Sequence, residues 1–141
     1  MRYLLDTGVW LRAVNELLTI PPEALRLLQT SGELFGLPAI SLWEVGKKVQ
    51  AGKLPLPKEL AAWFKDALAP NLTVLPLTPE IVSDAMRLPE FPNRDPADEI
   101  VVATARVHRL TLLTTDTLLK SYRHARIHYF KPVLPGAKKS T

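Results

Sequence analysis

The chain has 141 residues, 47% of them hydrophobic and 23% charged, which suits one domain with a single buried core. It has no cysteine, so disulfides and thiolate metal sites are excluded, and its three histidines are not paired at zinc-finger spacing. The net charge of +4 favours an anionic partner without identifying one, and no apolar run approaches the ~18–20 residues of a bilayer span. The start of the chain also lacks the apolar region of a secretory signal, so we expect a soluble, cytoplasmic protein with no membrane contact.

The first half of the chain predicts two strands and four helices. The apolar segment 2–5, followed by Asp-Thr-Gly, predicts a strand and a turn, and Pro21-Pro22 is typical of a helix start. Gly52 marks the end of a helix, and Pro70 stops another. We therefore expect strands over 2–5 and 34–39, and helices over 9–18, from Pro21 onward, over 41–51 and over 57–68.

The second half predicts strands that alternate with helices. Thr78-Pro79-Glu80 is a strong helix start, and Asp95-Pro96-Ala97-Asp98 repeats the same signal before a long helix to about His108. We expect strands over 72–75 and 110–114, a short helix over 116–122 and an edge strand over 127–130. Such alternation indicates an α/β fold with a mainly parallel sheet of about five strands, covered on both faces. One domain over 1–131 and a disordered basic tail over 132–141 complete the prediction.

Four acidic residues should meet at the carboxyl edge of this sheet, where ligands of such folds bind. Asp6 and Asp116 directly follow predicted strands, and Glu44 is expected in the first turn of the helix after the second strand. Asp98 lies in the first turn of its helix, and its i+3, i+4 and i+7 neighbours are apolar. Asp98 should therefore point inward, where an unpaired carboxylate is unfavourable.

Each of these acids also has a purely structural interpretation. Asp6 and Asp116 could cap helices, and the segment from Ser41 to Glu44 fits a capping box. Glu44 could form a surface ion pair with Lys48 one turn later, and Asp95 with Pro96 resembles a cap followed by a first-turn proline. Only the joint placement of the four acids and the inward direction of Asp98 favour a functional site.

A divalent cation is the simplest way to keep four crowded carboxylates ionised. Mg²⁺ prefers a few carboxylates and several waters, and Mn²⁺ accepts the same ligands. Such a site can activate water and stabilise charge on a phosphodiester. Phosphodiester hydrolysis is therefore the leading hypothesis from the residues alone.

Three segments of the chain resemble the PIN domain, and within it the VapC-like toxins. They are YLLDTGVWL, SLWEVGKKVQAGKLPLP and RDPADEIVVATARVHRLTLLTTD, and the similarity extends from Tyr3 to about Phe130. The resemblance implies a PIN-like three-layer α/β/α sandwich and a magnesium-dependent endoribonuclease that forms the toxin half of a toxin–antitoxin pair. It also implies a homodimer, an RNA substrate and neutralisation by a VapB-like antitoxin.

The resemblance assigns roles residue by residue. It implies that Asp6, Glu44, Asp98 and Asp116 are the catalytic residues and hold one or two Mg²⁺ or Mn²⁺ ions. Thr7 and Thr115 would support the site through their hydroxyls, and Asp95 would act first as a cap and second as a supporting acid. Two positions depart from the family: Gly8, where relatives often have a larger residue, and Glu99, where close relatives often have arginine.

Other residues have weaker signals. Arg94, Lys47 and Lys48 could contact RNA phosphates, and Arg94, next to the acidic turn, is the best candidate. Solvated helix faces are the alternative explanation for these residues. The three tryptophans could stack on bases, but core positions are favoured for at least two. The apolar faces around Trp10 and Leu25 could bind an antitoxin or belong to the core or a dimer surface.

Two alternatives to the nuclease remain. The first is a non-cleaving PIN-like module that binds RNA or a partner. The second is a phosphorylatable aspartate domain on a similar sheet, which needs a pair of acids and a lysine at strand ends. It ranks last because Asp6 has no adjacent acid.

Overall fold

The protein is described from a computed structural model, whose described residues are 1–30, 32–68 and 70–134. Within them, five short strands form one sheet in the order β3-β2-β1-β4-β5, and all four pairings are parallel. The strands are β1 Tyr3–Leu5, β2 Phe35–Pro38, β3 Leu72–Leu75, β4 Thr111–Thr114 and β5 Ile127–Tyr129. The predicted α/β class and the edge position of the last strand are confirmed.

Six α-helices connect these strands in the described part of the chain. They are α1 Thr7–Asn15, α2 Pro22–Leu28, α3 Ala39–Gln50, α4 Leu60–Ala67, α5 Pro79–Ala85 and α6 Pro96–His108. All three predicted proline starts are confirmed: α2 begins at Pro22, and side chains cap the other two helices. Thr78 accepts a hydrogen bond from Ile81 N at α5, and Asp95 accepts one from Ala97 N at α6. Gly52, with φ of 73°, follows the end of α3 as predicted.

The two faces of the sheet bury separate apolar clusters because successive strand residues point in opposite directions. Leu5 and Leu113 belong to the cluster that includes residues of α1 to α4, whereas Leu4 and Leu112 pack with α6. Helices therefore cover both faces, which gives the three-layer α/β/α arrangement.

The tryptophans divide between core and surface. Trp10 and Trp63 are buried with ring centroids 5.4 Å apart, and Trp10 Nε1 donates to Ala67 O at 3.1 Å. Trp43 is 61% exposed. The prediction that at least two tryptophans belong to the core is confirmed.

Two sequence predictions near the acidic residues are wrong. Helix α3 begins at Ala39 rather than at residue 41, because β2 runs directly into it through Pro38, whose φ of −64° suits a helix start. Glu44 therefore lies in the second turn, and Ser41 is inside the helix rather than at its cap, so the capping-box interpretation fails. The short helix predicted over 116–122 is a series of turns.

Two helices are shorter than predicted. Helix α1 ends at Asn15 and is followed by a 3₁₀ turn, Leu17–Thr19, where a helix to residue 18 was expected. Helix α4 begins three residues later than predicted, at Leu60, after a segment with prolines at 55 and 57. Neither change moves an acidic site residue.

Residues 135–141, most of the predicted tail, lie outside the described residues. Before them, Val133 N donates to Thr19 O at 2.8 Å. The single-domain boundary at residue 131 stays a prediction. None of the described helices combines the length and apolar character that crossing a bilayer requires.

Candidate active site

Asp6 lies at the junction of β1 and α1, and its carboxylate is held on both sides. Oδ1 accepts from Val9 N at 2.7 Å, so Asp6 caps α1, and Oδ2 accepts from Thr114 Oγ1 at 2.5 Å. Burial raises the pKa of Asp6 to about 6, and the nearby charges of Asp116 and Glu44 also raise it against the lowering effect of these hydrogen bonds. Asp6 is therefore both the cap of α1 and a partly buried carboxylate in an unfavourable electrostatic environment.

Glu44 reaches the same edge of the sheet from α3. Thr7 Oγ1 donates to Glu44 Oε1 at 2.5 Å and lies 2.8 Å from the buried Oγ of Ser41. Because Thr7 follows Asp6 directly, this contact brings α3 and the end of β1 together. Glu44 forms no ion pair with Lys48 in the described structure, so the surface-pair interpretation is wrong.

Thr114, the last residue of β4, connects Asp6 to Asp116. Its Oγ1 donates to Asp6 and accepts from Asp116 N at 3.0 Å, while Asp116 Oδ1 accepts from Leu118 N at 2.9 Å. Thr115, rather than Thr114, was predicted from the sequence to support the site. Thr115 Oγ1 lies beside Gly8, 3.6 Å from the point that a Cβ atom would occupy if residue 8 had a side chain. Thr114 could have been identified from the sequence as the hydroxyl residue at the last position of an apolar strand, β4, which pairs with β1.

Asp98 lies in the first turn of α6 and is partly buried, as its inward direction predicted. Burial raises its pKa to about 6, helped by the charges of Asp95, Asp116 and Glu44. Asn93 Nδ2 donates to Asp98 Oδ2 at 3.1 Å, and Asn93 Oδ1 accepts from Asp95 N at 2.9 Å. Asn93 is a second residue that the sequence analysis missed.

The structure brings all four predicted acids into one electrostatic cluster. Asp6 and Asp98 each experience the charges of Glu44 and Asp116. Within the described residues, the ion pairs of lysine and arginine involve Glu33, Asp66 and Asp84, so no basic side chain pairs with these four acids. The cluster therefore contains buried negative charge that protein cations do not compensate.

The fit of a cation to this cluster rests on its donor chemistry. All the candidate ligands are carboxylate oxygens, which suit Mg²⁺ and Mn²⁺. The raised pKa values of Asp6 and Asp98 reflect burial and repulsion between the carboxylates, and a bound cation would offset both effects. In the described part of the chain, no three acidic or histidine side chains already stand at the spacing of a formed metal site. Binding would therefore require side-chain rotation.

The three predicted RNA contacts, Arg94, Lys47 and Lys48, are all exposed, but their surroundings differ. Arg94 is exposed and follows Asn93, the partner of Asp98. Lys47 and Lys48 are exposed in the last turn of α3, and Lys47 Nζ bonds Gln50 Oε1 at 2.7 Å and lies 5.7 Å from the Trp43 ring centroid. Lys47 is thus directed toward Trp43.

Comparison with known proteins gives the family. The sequence profile of the PIN domain matches residues 3–125. This chain belongs to the PIN-domain family. It is also 31% identical over 125 residues to ribonuclease VapC22 of Mycobacterium tuberculosis, a match that covers 87% of this chain and 93% of that protein. The predicted membership of the PIN family with VapC-like relatives is confirmed.

Solved structures show the same fold at low sequence identity. VapBC2 from Rickettsia felis, bound to a promoter DNA fragment, has a TM-score of 0.69 and 15% identity, covering 92% of this PIN-domain chain and 98% of that one. DNA-bound VapBC from Salmonella typhimurium has a TM-score of 0.68 and 18% identity with the same coverage. FitAcB from Neisseria gonorrhoeae has a TM-score of 0.63 and 22% identity, covering 89% and 95%.

Proposed function

We propose that this PIN-domain protein is a divalent-cation-dependent endoribonuclease that acts as the toxin of a VapBC-like toxin–antitoxin pair. The observation that carries the proposal is the cluster of Asp6, Glu44, Asp98 and Asp116, which repel one another and have no basic partner in the described structure. A relative of 31% identity that carries the name ribonuclease supports RNA as the substrate class.

The four carboxylates are the residues that would hold the cation, and Mg²⁺ is our first choice, with Mn²⁺ as the alternative. When bound, such an ion activates water at neutral pH and stabilises negative charge on a phosphodiester. Before it binds, the same carboxylates repel the phosphates of RNA, so the acids should make RNA entry depend on the cation.

The chain supplies rigid positioning of two of these carboxylates. Asp6 is held by Val9 N and Thr114 Oγ1, and Glu44 is held by Thr7 Oγ1. Asp98 has one hydrogen bond, from Asn93. Asp6, with two hydrogen bonds, is therefore the carboxylate that is most firmly oriented before a cation binds.

Cleavage of structured RNA by purified, antitoxin-free protein tests this proposal. We expect Mg²⁺ or Mn²⁺ to be required, and Asp6→Asn to reduce the cleavage rate at least about 100-fold, as losing a metal ligand should. Asp66→Asn is the matched control, because it makes the same exchange at an exposed aspartate on α4 that pairs with Lys58 and lies outside the acidic cluster. Intact RNA with metal-loaded wild-type protein, across tRNA and ribosomal RNA, would refute the assignment.

An apolar groove beside α1 and α2 is the surface that we propose for the antitoxin. Trp10, Val14, Leu17, Leu25 and Leu28 line a cavity of about 290 Å³, and Leu17 and the adjacent Leu18 are 43% and 82% exposed. An apolar antitoxin segment would bury this surface. Leu18→Glu should weaken antitoxin binding in a pull-down assay without changing RNA cleavage.

The homodimer expected from the resemblance stays a prediction, which sedimentation analysis of the purified protein would test.

One observation favours the second candidate, a module that binds RNA without cutting it. No group of three acidic or histidine side chains in the described residues has the spacing of a formed metal site. Such a module would bind RNA equally well in the presence of a chelator. RNA binding that falls when Mg²⁺ is removed would exclude it.

A further inference from the structure

A pocket rich in arginine lies at the other end of β4 from the acidic cluster. Its volume is about 460 Å³, and its polar and charged walls are Asp84, Arg106, Arg109, Arg123, His124 and Arg126. Arg109 and Arg126 come just before β4 and β5, whereas Asp116 comes just after β4. At about 3.3 Å per strand residue, the pocket lies roughly 15 Å from the acids.

The charges in this pocket are not equivalent. Arg106 is committed to the protein, because its Nε and Nη2 bond the two carboxylate oxygens of Asp84 at 2.8 and 3.1 Å and its Nη1 bonds His124 O. This pair leaves three arginines, Arg109, Arg123 and Arg126, whose side chains form no ion pair with an acid in the described residues. All three are exposed, so the pocket presents an uncompensated positive charge to a ligand.

A buried nitrogen in the wall also has no partner. His124 Nε2 is buried and forms no hydrogen bond with any described residue. Buried polar atoms of this kind are usually satisfied by water or a ligand. Guanidinium groups with several donors, together with an unsatisfied imidazole nitrogen, are the chemistry that recognises phosphate oxygens.

A second cavity, here called the groove, adjoins this pocket. It has a volume of about 200 Å³, shares the walls Arg123 and His124 with the pocket, and is also lined by Pro92 and Leu118. Leu118 N bonds the carboxylate of Asp116, and Pro92 precedes Asn93, the partner of Asp98. The groove thus extends from the arginines to residues that neighbour the acidic cluster.

We propose that Arg109, Arg123 and Arg126 form a second phosphate-binding site, which takes the RNA backbone at a distance from the cleaved bond. This inference rests on the proposed ribonuclease function. A distance of roughly 15 Å corresponds to only a few nucleotides of RNA backbone. An RNA that extends this far from the cut bond gains contacts that a shorter one lacks, so the site selects substrates by length on one side of the cut.

Glu90 provides a test with the opposite sign, because it also lines the groove. Its charge should repel a backbone that passes there. Glu90→Gln keeps the size of the side chain and should strengthen RNA binding. Misfolding cannot produce such a gain.

The experiment measures binding of a 12-nucleotide single-stranded RNA with Mg²⁺ present, and every protein, including the one called wild type, carries Asp6→Asn so that cleavage is suppressed while the other acids can still hold a cation. We expect Arg123→Gln/Arg126→Gln to weaken binding about tenfold and to reduce the slope of log K against log salt concentration by about 1.4, for two lost phosphate contacts. The control Arg26→Gln/Lys65→Gln removes two exposed charges on α2 and α4 and should bind like wild type. Glu90→Gln should bind about two- to threefold more tightly, a gain equivalent to removing a screened repulsion.

Two further ligands, inorganic phosphate and poly-glutamate, show whether the arginines bind RNA or any anion. Inorganic phosphate should shift the backbone NMR signals of residues 109–110 and 123–126 only at millimolar concentration, whereas the RNA should shift them at far lower concentration. Equal affinity for phosphate and RNA, or for poly-glutamate and RNA, would overturn the assignment to RNA, as would wild-type binding by the double arginine variant. Because no cleavage is measured, loss of this site and failure of the nuclease proposal give different results.

Discussion

Asp84 and Asp98 are both partly buried aspartates near α6, but their surroundings differ in one respect. The Asp84 carboxylate accepts two hydrogen bonds from Arg106, and this pairing raises the pKa of the Arg106 guanidinium further. The Asp98 carboxylate faces Asp95, Asp116 and Glu44, and its pKa is raised to about 6 by burial and by these charges. The charge of Asp84 is compensated by an arginine, whereas that of Asp98 has no basic partner in the described residues.

This difference separates structural from functional acids. Removing one partner of a compensated pair destabilises the fold because it leaves the other charge unpaired. Both carboxylate oxygens of Asp84 are already bonded to Arg106, so they are poorly placed to bind a ligand. An uncompensated cluster destabilises the fold unless a cation binds, which is typical of sites that have a function. The same substitution, aspartate to asparagine, should therefore have opposite effects on stability at the two positions.

The largest effect on stability is expected for Asp84→Asn. The variant would place an amide N–H against a guanidinium donor and leave Arg106 without its carboxylate. Because the Arg106 and Asp84 side chains are 27% and 15% exposed, we expect a loss below that of a fully buried pair, about 1–3 kcal/mol. Chemical denaturation measures it.

The exposed pair Lys58–Asp66 provides the control for this variant. Its side chains are 49% and 64% exposed, so Asp66→Asn should change the free energy of unfolding by less than about 1 kcal/mol. Equal losses for Asp84→Asn and Asp66→Asn would show that the Arg106 pair is not special.

A smaller effect is expected from Mg²⁺ itself. A cation at tenfold its dissociation constant should stabilise the wild-type protein by about 1.4 kcal/mol, because it binds only the folded state. In Asp98→Asn this gain should largely disappear, while Asp84→Asn should retain it. Thermal unfolding with and without Mg²⁺ measures the difference, and an equal shift in Asp98→Asn would argue against Asp98 as a ligand.

The smallest effect is the pH dependence of the metal-free protein. Because folding raises the pKa of Asp98 from its unfolded value of about 3.9 to about 6, the folded state binds more protons between these values. Stability should therefore fall as the pH rises from about 4 to 6 and then level off. Asp98→Asn removes this contribution and keeps an oxygen for Asn93. Because Asp98 is partly exposed, solvent screening reduces the effect well below that of the full pKa shift, so above pH 6 the Tm of the variant should be higher by roughly 2–5 °C.

The comparison at low pH completes this test. At pH 4 the wild-type carboxyl is largely protonated, so the variant and the wild type should unfold at nearly the same temperature. A difference that is equally large at pH 4 and pH 8 would mean that packing, rather than charge, separates the two proteins. Measurements in EDTA keep metal binding out of the result.

Much of the fold could be predicted because its signals are local. Two proline starts and the glycine after α3 act within one or two turns of a helix. The errors arose where tertiary contacts override such signals. Pro38 continues β2 into α3 without a loop, and the turns after Asp116 are held by a hydrogen bond from Tyr122 Oη to Pro89 O, 33 residues away.

The site was predicted only in part for the same reason. The positions of Asp6, Asp98 and Asp116 next to strand and helix ends are visible in sequence, since parallel strands end at one edge. The hydrogen-bonding partners of Asp6 and Asp98 are not. Thr114 bonds Asp6 across 108 residues of chain, and Asn93 reaches Asp98 only because the loop before α6 folds back.

The sequence by itself determined the α/β class, the caps of α5 and α6 and the set of candidate acidic residues, since these depend on periodicity and on neighbours along the chain. Only the tertiary structure decided which hydroxyls orient those acids, and that Arg106 is paired while three other arginines form no ion pair in the described residues. The physical reason is that charge compensation depends on distance in space. Packing of the sheet sets that distance, and the order of residues does not record it.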